Sequence, residues 1–317
     1  MPEKPVVKPA VRVVSGGCRP DLPVTLTGMG DGDGWVSCDA GHRHWGRHGA
    51  AGLLLYHPGL DGPHVLLQKR TLLSIGGGTW GILGGARHSH EDAITGALRE
   101  AGEESTLDPS VVRVHGLVGE HHGGWSYETV IASVDERPRV RRASFETAAV
   151  AWVHVDEVPR KKLFPAFADG WSRLREALVR PVLVVDAAAL DGTDGGRPVD
   201  DAALDGTDGG RRVDGAALVR LRDRLAALGP IADLPGAAAD LSYPEIVIAA
   251  DDADVPGVDG VRVVAVPAGA EAFAELAAPG APDEHRVVVT GDPERRRRTQ
   301  AAGAAVADPG WLLGLLS

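Results

Sequence analysis

Apolar positions in this chain fall into short runs, and their period changes at defined points. AAGLLLYH from Ala50 and HVLLQKR from His64 have strand length and strand composition. A glycine-rich turn, SIGGGTWGILGG, then leads into GGARHSHEDAITGALREAGEESTL, Gly84 to Leu107. Here Ile94, Ala97, Leu98 and Ala101 recur at i, i+3, i+4, i+7, the buried stripe of an amphipathic helix. Ser89 followed by Asp92 is a capping signal and places the helix start at Ser89. Three strand-like runs follow, VVRVHGLVG from Val111, YETVIASV from Tyr127 and AAVAWVHV from Ala148. With the helix FADGWSRLREALV from Phe167 they complete a mixed α/β unit ending near Leu178.

A second unit opens on PVLVVD at Pro181, a continuous apolar run of the kind buried on both faces. A helix at about 215–228, strands EIVIAAD from Glu245, VRVVAVP from Val261 and HRVVVTGD from His285, and helices at about 270–276 and 293–302 follow. This β-α-β alternation predicts a mainly parallel sheet. The expected division is therefore an N-terminal extension or small subdomain over 1–47, one α/β domain over 48–179 and a second over 180–317. Within the second lies a direct repeat, AALDGTDGGRPVDD at 188–201 and AALDGTDGGRRVDG at 202–215. It lacks the alternating Asp-x-Asp-x-Asp-Gly of a calcium loop and reads as a solvated insertion.

Composition narrows the class. The chain has 317 residues, 44% hydrophobic and 24% charged, which is a globular balance with room for two cores. A net charge of −11 argues against a general nucleic-acid binder, Arg295 to Arg298 being a local exception. Cys18 and Cys38 are the two cysteines, so no disulfide framework is implied. Neither a signal-peptide core nor a membrane-length apolar run is present, so the expectation is a cytoplasmic protein.

The Gly84–Leu107 stretch carries the chemistry. Glu100, Glu103 and Glu104 stand at i, i+3, i+4 and share a face distinct from the apolar stripe. Such like-charge pairs cost roughly 0.2–0.5 kcal/mol each in an isolated helix. Glutamates near the helix C-terminus oppose the macrodipole, and Arg99 alone cannot neutralise three carboxylates. A solvated acidic face explains this arrangement poorly. A hard divalent cation, which takes oxygen ligands and leaves positions for a phosphate, explains it well.

Gly85, five residues, Glu91, seven residues, then Arg99-Glu100-Ala101-Gly102-Glu103-Glu104 resembles the Nudix box, G-x5-E-x7-R-E-U-x-E-E-x-G-U. Leu107 fills the last apolar position. Thr106 stands where the pattern has Gly, and Leu83 where Pro is often found. The resemblance covers about 49–178 and implies a Nudix α/β/α sandwich with a mixed sheet. It further implies a Mg²⁺-dependent (or Mn²⁺-dependent) pyrophosphohydrolase cleaving a nucleoside diphosphate linked to another moiety. By position, Glu100, Glu103, Glu104 and the Gly84 carbonyl would hold the metal, and Glu91 would pair with Arg99. Glu146 is the candidate for the additional catalytic Glu outside the box, ahead of Glu120 and Glu128. Trp125 and Tyr127 could stack on a base; they read equally well as half-buried strand aromatics.

Two weaker constellations remain. Cys38, His42, His44 and His48 form C-x3-H-x-H-x3-H and could ligate zinc. Structural zinc sites usually show two well-spaced ligand pairs, however. The favoured reading is a polar lead-in whose Trp45 and Gly46 pack onto the first strand. The second unit, through VLVVDAA at Val182, VVVTGDPERRRR at Val287 and VADPGWLLGLL at Val306, resembles PIN-like (NYN-type) domains, a Rossmann-like α/β class. That resemblance makes Asp186 and Asp292 acidic candidates at strand ends, joined only by Glu271, Asp251 and Asp252. A two-metal nuclease needs more, so a degenerate, structural or partner-binding domain is the favoured reading. The alternative function is an RNA-processing nuclease with the Nudix unit as nucleotide sensor. The oligomeric state is left open, a homodimer being compatible.

Overall fold

The structure, a computed structural model, describes residues 30–190, 193–194, 197–198, 214–251, 254–266 and 270–317. Among these residues, one compact unit runs to Val179 and takes in Ala237–Ser242; the other comprises Arg180–Gly236 and Tyr243–Ser317. The chain is of the α/β class.

The first unit begins with a hairpin of β1 (Trp35–Ser37) and β2 (Arg43–Trp45), which the weak periodicity of that region did not predict. The main sheet contains β3 (Ala50–His57), β4 (His64–Arg70), β5 (Trp80–Gly81), β6 (Leu83–Ala86), β7 (Arg113–His121), β8 (Ser126–Ser133) and β9 (Thr147–His154). It is mixed: β3 runs parallel to β8 but antiparallel to β4 and β6. β4 also pairs antiparallel with β5 and β9, and β7 with β8. Leu241–Ser242 adds antiparallel to β7, and Asp240 accepts the Gly119 amide at 2.7 Å beside it.

Helix α1 (Ala93–Glu104) covers one face and α2 (Pro165–Glu176) the other. β3 explains why both are needed. Alternate strand residues point to opposite faces, and every one of Leu53, Leu54, Leu55 and Tyr56 is fully buried. Leu53 and Leu55 pack with Ala93, Ala97 and Ala101 of α1. Leu54 and Tyr56 pack with Phe167, Trp171 and Leu174 of α2. Small residues on α1 let that helix lie close to the sheet, which sets the depth of its glutamates.

The second unit has a five-stranded sheet of β10 (Arg180–Asp186), β11 (Glu245–Ala250), β12 (Val261–Ala265), β13 (Glu284–Val289) and β14 (Ala305–Ala307). The strands are all parallel, in the order β12-β11-β10-β13-β14. Helices α3 (Gly215–Ala226), α4 (Ala270–Ala277), α5 (Pro293–Ala301) and α6 (Pro309–Leu315) accompany it, with Phe273 of α4 fully buried. Most of the 188–215 repeat lies outside the described residues; Thr193–Asp194 pairs antiparallel with Arg197–Pro198. Among the described residues no helix is long and apolar enough to cross a membrane.

Candidate active site

The glutamate helix is held down by two glycines. β6 pairs with β3 so that Gly84 faces Gly52 and Gly85 faces Ala51. A Cβ on Gly84 would lie 2.4 Å from the Ala51 carbonyl oxygen, and one on Gly85 would lie 2.6 Å from the Glu100 carboxylate. Backbone and carboxylate therefore approach to a distance that any side chain would block. The helix starts later than the capping signal predicted. Asp92 is the cap, accepting from the Thr95 amide at 2.7 Å, while Ser89 hydrogen-bonds Asp31. At the other end Ser105 leaves the helix in an extended conformation, and the Thr106 amide donates to the Arg141 carbonyl at 2.8 Å. This exit needs no left-handed residue, so threonine is compatible where the box has glycine.

Arg99 organises the carboxylates. It donates to Glu91 through Nε at 2.7 Å and through a terminal nitrogen at 3.1 Å, to the Ala86 carbonyl at 2.9 Å and to Glu100 at 2.9 Å. It also reaches Glu103 at 3.2 Å. Burial works against the Arg99 charge, but Glu91 and Glu100 outweigh it and hold the guanidinium protonated. Burial likewise opposes ionisation of Glu91; the Arg99 and His88 amide hydrogen bonds prevail and keep its carboxyl below the usual range. Gly96 admits Arg87 and Glu91 to this face: a Cβ there would lie 3.0 Å from Arg87 Cγ.

Glu100 and Glu104 differ from Glu91. Burial pushes the Glu100 carboxyl up to about 7, with Arg99 opposing and Glu103 assisting. Burial also pushes Glu104 to about 7, against hydrogen bonds from Gln68 and Gly84. Glu103 is exposed. The three carboxylates share one face, as their spacing predicted, with less cationic charge beside them than they carry.

Gln68 is the residue that sequence reasoning missed. It is buried in β4, and its Nε2 donates to both oxygens of Glu104 and to the Ile82 carbonyl at 3.1 Å. Its Oε1 accepts from Thr147 Oγ1 at 2.7 Å, which fixes the amide orientation. The Gly84 amide donates to the same Glu104 carboxylate at 2.9 Å. The signal was a glutamine inside the apolar run HVLLQKR, where an unpaired amide would be costly.

Other sequence candidates are placed as follows. Glu146 is exposed just before β9, its carbonyl accepting the Thr71 amide. Glu128 pairs with Arg87 at 3.3 Å. Trp125 donates to the Gly46 carbonyl at 3.0 Å and stacks on His44 with ring centres 4.1 Å apart, so one of its faces is occupied. Tyr127 packs against the sheet core; burial, with Glu104 and Glu120 nearby, raises its hydroxyl well above the usual range. Trp45 packs edge-on against Trp35, and His48 lies outside the Cys38, His42, His44 cluster.

In the second unit, Asp186 is buried, pairs with Arg295 at 2.7 Å and accepts from Thr290 Oγ1 at 2.6 Å. Asp292 caps α5 by accepting from the Glu294 and Arg295 amides, each at 2.8 Å. Asp251 is exposed, and Asp252 lies outside the described residues. Both strand-end acids already have partners of their own.

Comparison with known proteins agrees with the geometry of the first unit. The NUDIX domain model matches residues 46–174, the whole glutamate helix included. The chain is 46% identical over 155 residues to "Putative 8-oxo-dGTP diphosphatase 3" of Mycobacterium tuberculosis, covering 47% of this chain and 71% of that protein. It is 42% identical over 154 residues to "Nucleoside triphosphate pyrophosphatase/Nudix hydrolase fusion protein" of Bifidobacterium longum, covering 46% of this chain and 32% of that one. Among solved structures, a Nudix hydrolase from M. smegmatis is 43% identical over 46% of this chain and 94% of its own, with a TM-score of 0.44. Nearly half of the 155 aligned residues are identical to those of a relative matched over 71% of its length, and the region the family model matches contains the glycine pair and all four box glutamates: the chain belongs to the Nudix hydrolase family.

Proposed function

We propose that the first unit is a Mg²⁺-dependent pyrophosphohydrolase acting on nucleoside triphosphates, with an oxidised purine nucleotide such as 8-oxo-dGTP as the first substrate to test. The carrying observation is the pair Glu100 and Glu104, whose carboxyls burial pushes up to about 7 beside Glu103, with Arg99 hydrogen-bonded to Glu100 and Glu103 and Arg70 acting on Glu104 from further off. The donor set fits a hard divalent cation, Mg²⁺ or Mn²⁺: all oxygens, several charges, and a cradle beside Glu100 that a Cβ on Gly85 would fill. When bound, such an ion supplies neutralisation of the diphosphate and acidification of the attacking water. The roles of the chain's own residues are distinct. Glu100, Glu103 and Glu104, with the Gly84 carbonyl, would hold the ion. Gln68 and the Gly84 amide orient Glu104, and Arg99 with Glu91 ties the helix to its preceding loop. Glu103 and Glu146, both exposed, can accept a proton from water. The names of the curated relatives support the triphosphate class.

The second unit we read as a PIN-like domain without nuclease chemistry, the chain dividing near residue 180. Its strand order reverses beside β10, where ligands of doubly wound sheets bind. There Arg295 occupies Asp186, which supports a structural or partner-binding role over RNA cleavage. The decisive experiment is a nucleotide panel with Mg²⁺, the phosphorus products identified. Release of pyrophosphate and a nucleoside monophosphate, fastest from one oxidised triphosphate, is expected. Turnover confined to nucleotide sugars or dinucleotides would overturn the substrate class.

A further inference from the structure

The β1–β2 hairpin has two unlike faces. Trp35 faces Trp45 and Ser37 faces Arg43; between them the alternate positions place Val36 opposite His44 on the other side. The Cys38 amide donates to the His42 carbonyl at 2.9 Å, which continues the register and puts Cys38 opposite His42 on the His44 face. Gly41, at a φ of +80°, closes the turn between them. The outer face is an exposed aromatic pair with Arg43 over Trp35. The inner face carries a buried thiol and two imidazoles.

On that face the ligating atoms of Cys38, His42 and His44 all lie within 4.8 Å of one another. Tetrahedral ligands around zinc, at bond lengths near 2.0–2.3 Å, are separated by about 3.3–3.7 Å. Small rotations of three side chains close that gap. A second observation is independent of the spacing. Nε2 of His44 is buried without a hydrogen-bond partner, although its ring is fixed between Trp125, stacked at 4.1 Å, and His122, at 4.7 Å. A buried imidazole nitrogen without a hydrogen-bond partner is rare, and a role as a metal ligand is one of its few explanations.

We propose that Cys38, His42 and His44 bind a zinc ion, separate from the ion at the glutamate helix. One thiolate and two imidazoles select zinc over Mg²⁺, whereas an all-carboxylate set prefers Mg²⁺. The fourth position falls to water or to His122. The site joins the hairpin to the turn between β7 and β8, where the Asp39 amide already donates to the Gly123 carbonyl at 3.1 Å. It is therefore a clamp on the segment leading to β3. Binding releases the Cys38 thiol proton to solvent.

The test uses the full chain, stripped with chelator and titrated with Zn²⁺ or Co²⁺ alone. One equivalent of zinc should bind, and the Co²⁺ form should show a thiolate-to-metal charge-transfer band. Cys38→Ser should abolish the band, whereas Cys18→Ser and Glu103→Gln should retain it. His44→Ala and His42→Ala should each weaken zinc binding by about 10- to 100-fold. His42 is exposed, so His42→Ala carries the test if the other variants fail to fold. A charge-transfer band that survives Cys38→Ser, or zinc affinity unchanged in His42→Ala, would overturn the proposal.

Discussion

The side-chain amide of Gln68 donates to both carboxylate oxygens of Glu104, at 2.9 and 2.8 Å. Gln68→Leu removes that support, frees the Thr147 hydroxyl of its acceptor and leaves Glu104 harder to ionise. Stability should fall by about 1–3 kcal/mol. The Mg²⁺-supported rate should drop at least tenfold at neutral pH and recover partly as pH rises. A variant with reduced stability but a wild-type pH–rate profile would show Gln68 to be structural only.

Glu103 is the cleanest probe of the box, because it is exposed and, among the described residues, its carboxylate hydrogen-bonds Arg99 alone. Glu103→Gln should cost about two decades in rate, equivalent to roughly 3 kcal/mol of transition-state stabilisation, with a melting temperature close to wild type. Wild-type turnover at saturating Mg²⁺ would remove Glu103 from the site.

Chelated protein should carry a pH-dependent penalty from Glu100 and Glu104. Both carboxyls lie near 7 when folded against 4.5 as the reference. Between those values the folded chain binds more protons than the unfolded one, so stability falls as pH rises from about 4.5 to about 7 and stays low above it. Relative to wild type, Glu100→Gln should therefore gain stability between pH 5 and pH 8 without metal, measured by thermal melts in chelator. Added Mg²⁺ should raise the wild-type melting temperature more at pH 8 than at pH 5. A Glu100→Gln difference that is flat with pH would contradict the folded-state values.

Arg99→Lys keeps a positive charge but not the fork that spans Glu91, Glu100 and the Ala86 carbonyl. Glu91 is buried, so losing its bidentate partner should cost about 2–4 kcal/mol. Retained stability in urea unfolding would show that one ammonium can replace the fork.

Asp292 caps α5, and Asp292→Ala should destabilise by about 1 kcal/mol with nucleotide hydrolysis unchanged. A loss of hydrolysis in folded protein would tie the second unit to the active site.

Much of this architecture follows from local pattern. β3 and β4 begin and end where AAGLLLYH and HVLLQKR do, because an apolar run of strand length has few other places to go. The box glutamates were legible because helical spacing alone puts i, i+3 and i+4 on one face. The glycine-rich segment before them was read as a turn, yet it holds β5 and β6; sheet pairing overrode weak propensity there.

What the sequence by itself determined is the α/β class and the glutamate face, since each depends on periods within a short span; the Glu91–Arg99 pairing was what the resemblance to the Nudix box implied. Tertiary structure alone decided which carboxylates are held and by what. Gln68 meets Glu104 across 36 residues, Thr147 meets Gln68 across 79, and Arg295 meets Asp186 across 109. It also decided that Cys38, His42 and His44 share a face without His48, because hairpin register, and no motif spacing, brings them together. Partners so far apart in the chain are chosen by how strands pair and how helices pack, and burial then sets the charge each group can carry.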